Sequence, residues 1–266
     1  MAMAFLSNEQ NILEAISSCS EPEILFLGRE SYCRKVLHSI KGYSKMVQNN
    51  GHDMLPPDFF SDSINIMFDV TRVNDSEIKK GYNPVLIREN KSIKRLNEIQ
   101  QFTDPKINVH VVNNQMDNSP NYDKYHKLLF YQRQCSRVIK KHIEKIPIWE
   151  KNHPEITRKG LVICDEAGLY IKGSAVPVGY TDFGELVWGL RYAYNAEIHC
   201  PWLDIEHITI LKESSLDFAA WYMPYKRDSI IGKLLKNRYP KLVILDLKTI
   251  DKGIPYQNPD DWVAFS

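Results

Sequence analysis

The chain has 266 residues, 43% hydrophobic and 25% charged, with a formal net charge of +1. That composition is enough for one large globular domain or two small ones. A near-neutral chain exerts no overall pull on nucleic acid or an acidic membrane, so such a partner would need a local patch. No apolar run approaches the ~18 residues of a membrane span. The start, "MAMAFLSNEQ", lacks the basic residues and long apolar run of a secretory signal. Cys19, Cys33, Cys135, Cys164 and Cys200 are odd in number, widely spaced and form no CxxC pair. They suit reduced, buried thiols, and the expectation is a soluble cytoplasmic protein.

The first segment, "SNEQNILEAISS", reads as a helix with Ser7 as its cap and Gln10 three residues on. "EILFLGR" follows Pro22 as a compact strand. The next helix is read from Glu30 towards Gly51, because Tyr32, Val36, Ile40, Tyr43 and Val47 recur at three- and four-residue steps. "GHDMLPPDFFSD" reads as a loop fixed by its prolines. The strand "INIMFDVTRV", a helix from Pro84 to about Phe102, and the strand "KINVHVVNN" come next. The longest helix is expected over 122–146, with Pro147 breaking or kinking it.

"LVICDEAG" is the next strand, an apolar run that delivers Asp165 and Glu166 together. From Gly173 the chain becomes rich in glycine and aromatic residues without a clean period, and reads as an irregular insertion or lid. The strand "FAAWYM", the helix "RDSIIGKLLKNRYP" and the strand "KLVILDLKTI" complete the pattern before an extended tail.

Strands alternating with long helices predict an α/β fold, with a largely parallel or mixed central sheet flanked by helices. The division expected is a core of 1–172, the irregular insertion of 173–206, and core completion with the tail over 207–266. In open sheets of this type ligands collect outside the carboxyl ends of the strands. Asp69, Asp165, Glu166 and Asp246 stand near such ends. Parallel neighbouring strands would gather them on one rim, where their mutual repulsion calls for a cation such as Mg²⁺ or Mn²⁺.

Asp246-Leu247-Lys248 places a carboxylate and an ammonium on one face of a strand. The triplet resembles the (D/E)xK element of PD-(D/E)xK nucleases over these three residues. In that family a helix and another strand follow the element, whereas 18 residues remain here after Lys248. The resulting expectation is a metal-dependent hydrolase of phosphodiesters, possible nuclease chemistry included. Asp69, Asp165, Glu166 and Asp246 would hold the metal, and Lys248 and Lys226 would supply positive charge. The competing reading for each acid is an ordinary cap or loop residue.

The helix over 122–146 is basic, with Lys124, Lys127, Arg133, Arg137, Lys140, Lys141 and Lys145 against Asp123 and Glu144. It could follow a nucleic-acid backbone, or be a solvated outer face. The histidines, including His199 and His207 near Asp204, read as core or surface residues. There is no GxGxxG, GxxxxGK[ST] or GxSxG motif. The alternative to an enzyme is a binding module presenting the aromatic residues of 175–202, among them Trp188 and Tyr192.

Overall fold

The computed structural model describes residues 9–49, 57–74, 128–167, 169–172, 174–180, 186–191, 198–224, 239–250 and 262–265. At its centre is a seven-stranded sheet. It is formed by β1 (Ile24–Leu27), β2 (Val47–Gln48), β3 (Phe59–Ser61), β4 (Ile66–Val73), β5 (Arg158–Asp165), β9 (Phe218–Tyr222) and β10 (Leu242–Asp246). The strand order is β1-β10-β9-β5-β4-β3-β2. β4, β5 and β9 run parallel to one another, and β10 turns against β9, with β1 parallel to β10. β3 is antiparallel to both β4 and β2. The sheet is therefore mixed.

Two helical layers cover it. α1 (Glu9–Ser17) and α2 (Glu30–Lys41) close one face with Phe68, Val70, Val162, Phe218 and Ile244. α3 (Leu128–Ile143), α4 (Ile146–Asn152) and α5 (Ile205–Glu213) close the other with Met67, Leu161, Ile163, Trp221 and Leu245. Alternate residues of each strand enter opposite layers, so one strand serves both cores and reads as a continuous apolar run. α3 earns its place by the spacing of Leu128, Tyr131, Gln132, Cys135, Ser136 and Ile139, all buried on one stripe.

Three elements differ from the sequence reading. α2 stops at Lys41, where the Gly42 amide bonds back to His38 and Ser39. Tyr43 then enters a 3-10 turn and Val47 a strand, so their helical spacing is coincidental. Phe59 to Ser61 of the expected loop pair with β4. The expected helix ends at Ile143 rather than at 146, and the break expected at Pro147 is present, with the proline in the first turn of α4, where a missing N–H costs nothing.

β6 (Leu169–Lys172) pairs antiparallel with β11 (Trp262–Phe265), so residues 262–265 of the tail are extended. Within the glycine- and aromatic-rich segment, β7 (Ser174–Tyr180) and β8 (Leu186–Arg191) pair antiparallel with a register shift between Pro177 and Gly179. The expected helix over 84–102, the strand near 106–114 and residues 227–238 of the expected helix over 227–240 lie outside the described residues.

Two glycines fix close approaches. Gly28 has φ 98°, and a Cβ there would stand 2.7 Å from the Asp246 Cβ. At Gly160 the Phe218 ring occupies the space a side chain would need, 2.1 Å from an added Cβ.

Candidate functional site

The reversal at β10 separates the acids expected to converge. Asp165 ends β5, while Asp246 ends β10 and is paired with Phe218, whose other partner is Gly160 at the opposite end of β5. Asp69 lies mid-strand, paired with Leu161. Four residues at ~3.3 Å each put Asp165 roughly 13 Å along the sheet from that level. Asp246 alternates with Leu242 and Ile244 into the α1–α2 layer, whereas Asp69 and Asp165 face the α3 layer. The single four-acid rim is thus corrected: the acids occupy both faces and both ends of the sheet.

Each acid also has its own partners. Buried Asp165 accepts hydrogen bonds from Tyr131 Oη at 2.7 Å, Trp221 Nε1 at 3.1 Å and the Ala167 amide at 3.0 Å. Glu166 takes the Arg72 guanidinium at 2.6 and 2.8 Å. Burial pushes the Glu166 carboxyl above its ordinary value, with Arg72 opposing. Asp246 holds Arg29 at 2.5 Å and accepts from Thr249 at 2.9 Å and from the Lys248 amide at 3.2 Å. Burial would raise its pKa, but these bonds hold it below the usual carboxylate range. Exposed Lys248 stands 3.5 Å from Asp217 through its Nζ. Lys226 lies outside the described residues.

What gathers instead is a cluster around Asp69. Its Oδ2 meets His142 Nδ1 at 2.7 Å and Lys145 Nζ at 3.7 Å, and its Oδ1 accepts the Asp58 amide at 2.9 Å. The local structure explains the meeting. Asp69 projects from β4 on the same side as Met67 and Val73, towards α3. His142 sits two turns after buried Cys135, on the sheet-facing side of α3, and Lys145 follows before α4 begins. Asp69 is fully buried, while the His142 side chain keeps 14% of its surface and Lys145 35%. The cluster therefore runs from core to solvent.

Asp58 completes it by accepting the Val70 amide at 2.8 Å. Burial, then the nearby Asp69 charge, pushes its carboxyl up to about 6. Because the folded value is raised, Asp58 favours folding when protonated; that contribution is full below the unfolded value near ~3.9. It is lost as pH rises through about 6. Asp58→Asn keeps an acceptor for Val70 without the charge. Thermal unfolding should show the variant more stable than wild type at pH 8, with the gap closing below about pH 5. A variant less stable at both pH values would show that the Asp58 charge is used rather than tolerated.

Two further groups were hidden in the sequence. Asp204 caps α5 through the Glu206 amide at 3.0 Å and accepts Gln132 at 2.8 Å and His199 at 3.2 Å. Burial opposes its ionisation, yet the bonds from His199 and Gln132 and nearby His207 hold its pKa well down. His199 and His207 are buried, so of the two readings, core or surface, the core one holds for them. Near β3, ligand atoms of Asp62, His153 and Glu155 all lie within 4.8 Å of one another, with the His153 ring against Phe60 at 4.0 Å.

No protein-family model, curated protein or solved structure matches the chain.

Proposed function

We propose that the chain hydrolyses phosphodiesters, with His142 as the group that moves the proton. The observation that supports this is the 2.7 Å pairing of His142 Nδ1 with buried Asp69. A carboxylate on Nδ1 fixes the tautomer that leaves Nε2 as the base. That nitrogen meets no hydrogen-bond partner among the described residues, and the ring is partly open to solvent.

In this reading Nε2 takes a proton from a water as the water oxygen bonds to phosphorus. The imidazolium then returns the proton to the leaving alkoxide as the second P–O bond breaks. Asp69 stays ionised and stabilises the imidazolium, and Lys145 adds positive charge beside the reacting phosphate. Nucleic acid is the substrate that agrees best with the basic outer side of α3.

The proposed Mg²⁺ or Mn²⁺ no longer has four converging acids to hold it. A metal-dependent route would pass instead to Asp62, His153 and Glu155, whose imidazole favours Mn²⁺ over Mg²⁺.

The test is hydrolysis of bis(4-nitrophenyl) phosphate and of a single-stranded oligonucleotide, in EDTA and with each metal. Turnover in EDTA that His142→Ala abolishes supports His142. Turnover only with metal overturns the imidazole mechanism, and no turnover under any condition overturns the function.

A further inference from the structure

Where α3 lies beside α5 it carries a second, separate feature. Arg133, Ser136, Arg137, Lys140 and Lys141 line a groove of about 510 Å³, with Glu206 of α5 on the far wall. Glu144 is the other acid present, so four cations stand against two acids. All four cations are exposed, and none of them forms an ion pair among the described residues. Surface cations left without a carboxylate partner are available to an external anion.

Ser136 supplies an independent observation. It is among the residues lining the groove, at 4% exposure, and its Oγ has no hydrogen-bond partner. A helical serine ordinarily donates to the carbonyl four residues back, here that of Gln132. The buried His207 ring lies against that carbonyl instead, with Nε2 3.4 Å from the Gln132 oxygen. The serine hydroxyl is therefore left without a partner, as the Tyr32 hydroxyl also is, and a buried hydroxyl in that state favours any acceptor that reaches it. The Oγ is sealed from solvent in this structure, so an anionic oxygen takes that proton only as the flanking arginine and lysine side chains move aside.

The geometry points to a docking groove for the sugar-phosphate backbone of a nucleic acid, with Ser136 donating to one phosphate and Arg133, Arg137, Lys140 and Lys141 flanking it. The choice of a phosphodiester polymer rests on the proposed function, whereas the groove itself does not. Residues 133 to 141 span roughly 12 Å of helix at 1.5 Å per residue. A lone phosphate could engage only one turn of such a row, while a polymer can engage it all. Guanidinium groups at positions 133 and 137 suit the paired oxygens of a phosphate.

The test is fluorescence anisotropy of a labelled single-stranded oligonucleotide, measured across salt concentrations. Wild type should bind with an affinity that falls steeply with salt. The Arg133→Glu, Arg137→Glu double variant should lose at least tenfold. Ser136→Ala should weaken binding several-fold without lowering the melting temperature, since the hydroxyl it removes holds nothing in the fold. Inorganic phosphate should compete only weakly. Unchanged affinity in the double variant overturns the groove. Equal capture of dextran sulfate, unaffected by Ser136→Ala, overturns phosphate recognition. The same variants should hydrolyse the small chromogenic diester at the wild-type rate, so failure of the groove and failure of the His142 chemistry read out separately.

Discussion

His142→Ala should slow diester hydrolysis by about 10²–10⁴-fold, the range that a positioned general base contributes. The loss should fall on kcat, because the imidazole acts on the proton of the attacking water rather than on substrate binding. Added free imidazole should restore part of the rate. Asp69→Asn separates orientation from charge. An amide at that position can turn its NH₂ towards Nδ1 and so favour the tautomer with the proton on Nε2, which cannot serve as a base. Its rate should therefore fall too, although His142 remains. Both variants need to melt cooperatively for the comparison to count. Were His142→Ala to match wild type in rate and pH profile, the imidazole would be a structural tie between α3 and β4.

Asp165→Ala should act on stability, by about 3 kcal/mol. Tyr131 Oη and Trp221 Nε1 both donate to this carboxylate from fully buried side chains. Removing the acceptor strands both donors, and each stranded group costs about 1–3 kcal/mol. The melting temperature should drop by roughly 6–12 °C for a chain of this size. A compensated variant makes the cause visible. Adding Tyr131→Phe and Trp221→Phe removes the stranded donors as well, and most of the Asp165→Ala loss attributable to them should return, less any packing cost. A metal-ligating acid would behave in the opposite way, since relief of crowded negative charge raises stability when one carboxylate is removed. A stabilised Asp165→Ala protein would therefore reinstate the acid as a ligand.

The strands were the most readable part of the sequence. β4, β5, β9 and β10 are apolar runs because each is sandwiched between two helical layers. The same continuity hides direction. Nothing in Leu242-Val243-Ile244-Leu245 reveals that β10 runs against β9, and that one reversal carries Asp246 to the far end, while residue alternation puts it on the other face. Asp69 could be named from its position in an apolar run, but its partner stands 73 residues away on a helix. His142 is two turns from Cys135, at the edge of the buried stripe, which is the signal that could have found it. A histidine there reads equally as a helix residue reaching for solvent. Chain proximity gave no hint of the meeting, because only the packing of α3 across β4 creates it. The end of α2 was misplaced for a local reason, since Gly42 stops the helix before Tyr43 and Val47 can extend its period.

The notch at Gly160 also bears on how the chain assembles. β9 must find β5 although Lys159 and Asp217 stand 58 positions apart in the chain, and the Asp217 carboxylate takes the Lys159 amide beside the notch. A slip of one residue would turn Tyr222, Ala220 and Phe218 towards the wrong layer. A slip of two would keep the layers but drive the Phe218 ring against Arg158 or Val162, where a side chain already stands. The missing methyl thus acts as an index mark that admits a single alignment, so docking of β9 should be an all-or-none event rather than a gradual search among neighbouring alignments.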